Sequence, residues 1–497
     1  MHLENLVTHR VDSAGPRPTL LDFLPPRLRE ADYTEQGVLE VLGIPDLPFL
    51  QFREIPGYLW RCRLEGSARA DLTALWLLGQ KVSRDRIEAT LTGAGVEALV
   101  QAGLLSAVPD GLIARADLHP CQGTWVFTDR VMAQVKFPSH VYELGEDSYM
   151  LARTTPRTPV GRALDLCTGS GIHAILASQH AESVVGVDLN PRALRFARLN
   201  AALNGCDPRV EFREGNLYEP VAGETFDLVT VNPPFVPTPD RTMAAYRTGG
   251  EGGEDVVARI FGGLESHLAL GGTLAMVTNY PRIPGRPFLE RMRSWLGTDS
   301  GWGLTLLHFS DVPLGYFITR HLPYTGDPQA YTSEFERYLE SYRAHGIEGM
   351  AIGVALARRL PADHPGWSEE RRVGMPLHGV VPTVGPWLDD KERFGDPSWR
   401  PELDSRPALG PQVAGLWKDL LSGHGKAEFH DPTWNQPAWL SQGAIGLAGL
   451  LDGTRTVAEL IRHTAQTTPA APDMSPEMAA ERVREWLREL GENHVLN

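Results

Sequence analysis

The chain has 497 residues, of which 42% are hydrophobic and 22% charged, and it carries a formal net charge of −15 with a pI near 5.5. It is too long for one hydrophobic core, so we expect two to four domains, and its acidic balance argues against a protein that coats nucleic acid over its whole surface. No run approaches the roughly twenty apolar residues of a membrane span and no secretion signal is visible, so we predict a cytoplasmic protein.

Residues 1–118 are predicted to form a small helical domain. Apolar spacing from Thr19 to Leu42 indicates two short helices, and the stretch that follows is typical of three helices and a β-hairpin, the order of a winged helix. The candidate recognition helix, residues 96–102, offers only Glu97 and Gln101 as polar side chains. Phosphate contacts need Lys and Arg, so docking or scaffolding is favoured over DNA binding.

Residues 119–150 are predicted to form a bridging β segment, with strands at 124–131 and 133–142. The segment leads to Asp147 and Ser148, which either bind a ligand or cap a helix that runs through residues 150–153. Both roles are compatible with the sequence.

Residues 151–360 show an α/β pattern. An apolar strand, residues 163–167, is followed by Gly169 and Gly171 and then by helical spacing. Glycine suits such a turn because it adopts unusual dihedrals and lets a ligand approach the backbone. The second strand ends at Asp188, where a carboxylate holds a ribose diol in βαβ units. Because no third glycine follows Gly171, a nucleoside cofactor without phosphates fits better than a dinucleotide.

The fourth strand, residues 226–231, is followed directly by Asn232, Pro233, Pro234 and Phe235. Open α/β sheets bind ligands beyond the carboxyl ends of their strands, so we expect the glycine turn, Asp188 and Asn232 to share one crevice. Alone, Asn-Pro-Pro would indicate an ordinary turn; in this position a binding role is favoured. The glycine-rich loop at 240–255 is either a lid or a flexible connection.

The rest of the chain gives weaker signals. Residues 361–405 lack a sustained period and are predicted to be a linker, and residues 406–497 are predicted to form a second winged-helix-like domain, for which packing is favoured over gripping a polypeptide. His173 is predicted to be a partly buried helix residue rather than a catalytic base. The four cysteines lack metal-ligand spacing, so we predict free thiols and no metal site.

The central motifs resemble those of class I S-adenosylmethionine-dependent methyltransferases that act on planar nitrogens. Asp165, Gly169 and Gly171 match DxxxGxG, Asp188 matches the acidic ribose partner, and residues 232–235 match NPP[FY]. The segments HVYELGEDSYMLA and RTGGEGGEDVVARIF are similar to those of the glutamine-N5 methyltransferases that modify release factors. This resemblance covers roughly residues 139–280, and small-domain RNA base methyltransferases share part of it.

The resemblance implies a Rossmann-like core of seven strands in the order 3-2-1-4-5-7-6, with S-adenosylmethionine as cofactor. The two small α+β domains predicted above would flank this core. It assigns catalysis to Asn232, Pro233, Pro234 and Phe235. It assigns cofactor binding to Asp147, Ser148, Asp165, Thr168, Gly169, Gly171, Asp188, Leu189, Asn216, Leu217 and Asn232. Asn216 stands where the family usually has Asp, but its amide oxygen still accepts a hydrogen bond.

This chemistry suits an acceptor nitrogen whose lone pair is delocalised. Asn232 and the carbonyl of Pro233 would accept its N–H bonds, and Phe235 would lie against its flat face. The leading prediction is methylation of a glutamine amide in a protein. Two alternatives stay open: an RNA or DNA base amino group as acceptor, and a binding protein that keeps the cofactor fold while its small domains recruit a polypeptide. The sequence carries no signal for an oligomeric state.

Overall fold

The computed structural model describes most of the chain. The described residues are 20–130, 139–239, 248–297, 301–322, 326–374, 384–419, 422, 424–430, 437–467 and 475–496.

The N-terminal region is mainly helical and ends in two β-hairpins. Its elements are α1 Leu20–Glu30, α2 Glu35–Leu42, α3 Ile55–Glu65, α4 Ala68–Leu72, α5 Arg84–Leu91, α6 Gly93–Gln101, β1 Leu105–Val108, β2 Gly111–Ala114, β3 Asp117–Cys121 and β4 Thr124–Thr128. Its helices begin and end at sequence signals: the Thr34 side chain accepts from Gly37 N at the start of α2, and Gly43 ends that helix in the left-handed conformation. The predicted order of helices and a hairpin is present; the winged-helix assignment stays a prediction.

The middle of the chain alternates strands and helices. Its elements are α7 Glu146–Thr154, β5 Val160–Leu166, α8 Ile172–Ala177, β6 Ala181–Asp188, α9 Pro191–Leu203, β7 Val210–Glu214, β8 Phe226–Val231, α10 Asp255–His267, β9 Leu268–Arg282, α11 Phe288–Leu296, β10 Trp302–Pro313, α12 Leu314–His321, α13 Pro328–Ala344, β11 Gly349–Arg359, β12 Trp367–Arg372 and α14 Val384–Gly395.

These strands form one sheet in the order β7-β6-β5-β8-β9-β11-β10-β12. The first five strands are parallel, β11 runs antiparallel to β9 and β10, and β12 is parallel to β10. The first seven positions have the order that the resemblance implies. Within the described residues β12 adds an eighth strand, which corrects the predicted count of seven.

Two local predictions need correction. The stretch 361–405, predicted to be a linker, contains β12 and α14. Strand β12 alternates half-buried and exposed residues at the sheet edge and has only six residues, so it left no sustained period. The strand predicted at 133–142 lies mostly outside the described residues, and its described part, 139–142, is not a strand.

The sheet has helices on both faces. One core joins α8 and α9 to the N-terminal helices, and another packs α10 and α11 on the opposite face. The N-terminal region is also held by Asn200 of α9, whose side chain accepts from Phe127 N (2.8 Å) and donates to Phe127 O (2.9 Å) and Ser170 O (2.8 Å). The buried side-chain amide of Asn200 therefore links the edge of β4 to the turn after β5.

A buried ion pair connects α7 to the N-terminal region. Arg153 donates to Asp46 at 2.5 and 2.7 Å, and both side chains are almost completely buried. Glu35 accepts a further hydrogen bond from Arg153 at 3.2 Å. Breaking such a pair leaves an uncompensated buried charge, so it fixes the position of α7.

The C-terminal region has its own hydrophobic core. Its elements are β13 Val413–Lys418, β14 Gly425–Phe429, β15 Ala438–Leu440, α15 Gln442–Ala448, α16 Val457–Thr467 and α17 Pro476–Glu492. The predicted sequence of three helices is present, preceded by a three-stranded sheet. Phe394 of α14 packs into this core, so α14 joins the region to the rest of the chain. Among the described helices none has the length and hydropathy to cross a membrane.

Candidate active site

A cavity of about 320 Å³ opens where β5, β6, β7 and β8 end. The predicted residues that line it are Asp147, Ser148, Thr168, Gly169, Asp188, Leu189, Asn216, Leu217, Asn232, Pro233, Pro234 and Phe235. The structure therefore brings these residues together at the carboxyl edge of the sheet, where open α/β sheets bind ligands. Asp165 and Gly171 are not among the lining residues and support the turn from behind.

Asp165 holds the turn between β5 and α8. Its buried carboxylate accepts from the hydroxyls of Thr168 (2.5 Å) and Thr230 (2.9 Å) and from Ala174 N (3.1 Å). Burial raises the pKa of Asp165 to about 7, although the three hydrogen bonds act in the opposite direction. Asp165 thus shapes the wall of the cavity.

The two glycines of this turn have different reasons to be glycine. Both have positive φ, +55° at Gly169 and +84° at Gly171, which disfavours other residues. A Cβ on Gly171 would lie 3.0 Å from the Cβ of Ala197 on α9, whereas one on Gly169 would find only the Cys167 carbonyl, 3.9 Å away. Gly171 therefore also permits close helix packing, and Gly169 leaves the cavity open.

Asp188 stands at the end of β6 and closes onto the turn. Its carboxylate oxygens accept from Gly169 N and from Asn190 N, each at 2.8 Å. Burial raises the pKa of this carboxyl group. Each carboxylate oxygen has a second lone pair, so hydrogen bonds to a ribose diol remain available.

The neighbouring wall of the cavity contains two leucines and the amide of Asn216. Leu189 is 61% exposed although it is a large apolar residue, and Leu217 has a positive φ of +52°. The Asn216 amide nitrogen donates to Glu219 at 3.2 Å. This leaves the Asn216 oxygen to accept a hydrogen bond, the role that the family's Asp has.

Asn232, at the end of β8, is oriented by Asp147. Its Nδ2 donates to Asp147 Oδ2 at 3.1 Å. An ionised carboxylate only accepts hydrogen bonds, so the amide oxygen of Asn232 must point elsewhere. Asp147 Oδ1 also accepts from Ser148 N (2.9 Å) and from the Tyr142 hydroxyl (3.3 Å). Burial raises the pKa of Asp147.

Helix α7, which contains Asp147, begins earlier than predicted. The N-cap of α7 is Gly145, with no side-chain cap, and α7 starts at Glu146. Asp147 and Ser148 therefore lie in its first turn rather than capping a helix at residue 150.

Helices α12 and α13 cover Phe235, a contact that was not predicted from the sequence. Phe235 is 8% exposed and belongs to a core with Phe317 of α12 and Tyr342 of α13. The Tyr342 hydroxyl donates to Pro237 O at 2.7 Å, and Arg320 forms an exposed ion pair of 3.3 Å with Glu146. We call α12 and α13 the cover.

Several lining residues were not predicted. They include His140, Tyr142, Glu143, Glu146, Ser170, Asn190, Val256, Arg259, Asn279, Phe317, Arg320 and His321. His173 was predicted to be a partly buried helix residue; it lies on α8, is 5% exposed, and also lines the cavity.

The predicted lid lies partly outside the described residues, at 240–247. Its described end is bonded to the segment after Phe235: Gly249 N donates to Val236 O and Thr238 N to Gly250 O, both at 3.0 Å. The lid itself stays a prediction.

The cavity fits the expected cofactor, S-adenosylmethionine. Asp188 suits the ribose, and the open space beside Gly169 gives the ligand room at the turn. The exposed face of Leu189 and the Asn216 oxygen suit a planar base with an amino group.

Comparisons with known proteins agree with these motifs. A family model described as the methyltransferase small domain matches residues 141–294, and a domain of unknown function matches residues 30–115. The chain is 33% identical over 150 residues to a protein of Methanocaldococcus jannaschii named a candidate protein N5-glutamine methyltransferase, covering 29% of this chain and 75% of that protein.

Two further relatives are similar over shorter shares of their length. The ribosomal protein uL3 glutamine methyltransferase of Bradyrhizobium diazoefficiens is 35% identical, covering 29% of this chain and 50% of the relative. The release factor glutamine methyltransferase of Geobacter sulfurreducens is 33% identical, covering 35% and 62%. The chain therefore spans about half the length of the first of these curated relatives.

Proposed function

Since the chain belongs to the class I S-adenosylmethionine-dependent methyltransferases, in the group that contains the protein N5-glutamine methyltransferases, we propose that it methylates the side-chain amide of a glutamine in a protein. The observation that carries the proposal is the bond from Asn232 Nδ2 to Asp147 Oδ2, which leaves the Asn232 oxygen as a fixed acceptor at the end of β8.

The chain's own residues would prepare a poor nucleophile. An amide nitrogen has its lone pair delocalised, and holding its two N–H bonds in acceptors directs the lone pair and stabilises charge that develops on nitrogen. The Asn232 oxygen and the Pro233 carbonyl are the two acceptors, and the two consecutive prolines restrict the backbone that carries them. When bound, S-adenosylmethionine supplies a methyl group on a positively charged sulfur.

Phe235 supplies the apolar surface beside these acceptors. The cover buries all but 8% of this residue, so it has little freedom to move. A fixed aromatic face suits a planar amide, and it excludes water from the side of the cavity that the acceptor enters. The residues proposed for catalysis remain Asn232, Pro233, Pro234 and Phe235.

A protein acceptor is favoured over a nucleobase by the charge and by the names of the relatives. The net charge of −15 opposes broad contact with phosphates, and the three relatives above are named for glutamine methylation. The boundaries 1–118, 119–150, 151–360 and 406–497 serve as our proposal for the domains, and residues 361–405, which contain β12 and α14, connect the last two. We propose that the N-terminal domain docks the acceptor protein or serves as a scaffold and that the C-terminal domain packs against the rest of the chain; the cytoplasmic location stays a prediction.

Labelled S-adenosylmethionine and an extract of the source cells test the proposal. We expect label in protein that resists nuclease and is lost on protease digestion, and acid hydrolysis should release it as methylamine, because N5-methylglutamine contains a methylated amide. Label that nuclease removes would establish the nucleobase alternative. No transfer, together with binding of S-adenosylhomocysteine and capture of a polypeptide, would favour the binding-protein alternative. The Asn232→Ala variant is the matched control for transfer.

A further inference from the structure

The imidazole of His173 lines the cavity but has no hydrogen-bond partner within the described residues. The side chain is 5% exposed, and its Nε2 is buried without a partner. An unpaired buried polar group costs free energy unless a ligand satisfies it. The family motifs at residues 165–171 and 232–235 do not include this position.

Two serine residues line the same cavity. Ser148, in the first turn of α7, is 4% exposed, and Ser170, in the turn before α8, is 5% exposed. Both residues line the cavity. The buried unpartnered imidazole of His173 therefore shares the cavity lining with two serine hydroxyls.

The sheet register places these side chains on the same face. Asp165 pairs with Thr230 and Thr230 with Ala275, and residues paired across neighbouring strands point to the same face. Asp165 bonds to Ala174 of α8, and Ala275 packs in the same core as Met150 and Leu151 of α7. Helices α7 and α8 therefore lie on one face, and both begin at the edge of the sheet where β8 ends at Asn232.

The side chains around His173 include hydrogen-bond donors that suit an anionic ligand group. Burial, with a smaller contribution from the positive charge of Arg157, lowers the pKa of His173 to about 3, so the imidazole is neutral and one ring nitrogen carries a proton that it can donate. Arg157 bonds to Gln122 Oε1 and Ala152 O, each at 2.8 Å, and no carboxylate neutralises it within the described residues. The imidazole and the two hydroxyls can each donate a hydrogen bond to a carboxylate, and the Arg157 guanidinium, which does not line the cavity, adds positive charge behind them.

We propose that His173 donates a hydrogen bond to the carboxylate of the amino acid end of S-adenosylmethionine, in a subsite completed by Ser148 and Ser170. His173 is then a specificity-determining residue for the cofactor, which distinguishes the intact amino acid from analogues that lack the carboxylate. The assignment concerns the cofactor and is independent of the acceptor.

Calorimetry with two ligands tests this assignment. S-adenosylhomocysteine carries the carboxylate, whereas S-adenosyl-3-thiopropylamine is the same molecule without it. We expect His173→Leu to weaken binding of S-adenosylhomocysteine by about 10-fold to 100-fold and to leave binding of the decarboxylated ligand unchanged. His180→Leu is the matched control, because His180 is also near Arg157 but does not line the cavity; it should bind both ligands as the wild type does.

Each other outcome has a definite meaning. Equal weakening for both ligands would show that the imidazole only shapes the cavity, and unchanged binding of both would also overturn the assignment. If the wild-type chain fails to bind S-adenosylhomocysteine, the cofactor assignment itself is wrong. If His173→Leu does not fold, the His173 imidazole resonances of the wild-type protein give the answer: they should shift with S-adenosylhomocysteine and not with the decarboxylated ligand, and equal shifts would overturn the assignment.

Discussion

The two walls of the cavity are held by different forces. The wall that faces the proposed cofactor is held by hydrogen bonds to buried carboxylates, such as those from Thr168 to Asp165 and from Gly169 to Asp188. The cover is mainly apolar, and Tyr342 and Arg320 provide the bonds that join it to the segment after Phe235 and to α7.

This difference has a functional consequence. Hydrogen bonds fix distance and direction, so the polar wall sets the position of a ligand closely. Apolar packing tolerates exchange of one side chain for another of similar size, so the cover can change without loss of the turn. We therefore expect substitutions in the polar wall to change the affinity for the cofactor, and substitutions in the cover to change the KM for the acceptor protein.

Asn232 lies between the two walls, and its removal should have the largest effect. Asn232→Ala deletes one of the two acceptors proposed for the amide, so we expect the rate of methyl transfer to fall about 10²-fold to 10³-fold. The affinity for S-adenosylhomocysteine should change less than about tenfold. Asn279→Ala, another cavity-lining asparagine, is the control and should retain transfer. A variant that loses cofactor binding and transfer equally would make Asn232 a cofactor residue only.

Asp188→Ala should produce the next largest effect, which we expect on cofactor affinity alone. The change removes the carboxylate proposed for the ribose diol and the bond that closes the turn at Gly169, so affinity for S-adenosylhomocysteine should fall about 100-fold by calorimetry. Burial raises the pKa of Asp188, so wild-type affinity should decline on acidification at a higher pH than for an exposed aspartate, as the carboxylate gains its proton. Wild-type affinity in the variant would remove the cofactor assignment.

The difference between the polar wall and the cover also explains which parts of the site could be predicted from the sequence. Gly169, Asp188 and Asn232 each follow a strand, and parallel strands bring their carboxyl ends together, so their meeting was predictable. The contributions of Phe317 and Arg320 were not, because an apolar helix far along the chain carries no signal for which surface it packs on. His173 was missed for a related reason: its position on α8 was predictable, but the absence of a partner is visible only in three dimensions.

The fold was predictable to a similar degree. Strands β5, β6 and β8 are buried apolar runs that end at recognisable polar residues, which fixed the α/β class. Strand β12 lies at the sheet edge with alternating exposure, and its pairing with β10 depends on neighbours distant in sequence. Edge strands of this kind are set by tertiary contacts rather than by local preference.

Stability of the polar wall should depend on pH through Asp165. Its pKa in the folded chain, about 7, exceeds the value near 3.9 of an exposed aspartate, so between these values the folded state holds a proton that the unfolded state has released. The free energy of unfolding should therefore decline as pH rises from about 4 to 7. Asp165→Asn cannot titrate and should remove about 4 kcal/mol of this decline in urea unfolding measured at several pH values. An unchanged slope would assign the pH dependence to other groups.

The smallest expected effect concerns the cover. Tyr342→Phe removes one hydrogen bond, to Pro237 O, and leaves the ring in its apolar core. We expect a loss of about 1 kcal/mol in the free energy of unfolding and a several-fold higher KM for the acceptor protein, because the segment after Phe235 is held less firmly. Affinity for S-adenosylhomocysteine should stay constant. Tyr316→Phe is the matched control on α12, where the side chain is 60% exposed, and it should change neither quantity. If Tyr342→Phe lowered the affinity for S-adenosylhomocysteine and left the KM for the acceptor protein unchanged, the two walls would not be functionally separate. The cover would then act on cofactor binding through the polar turn.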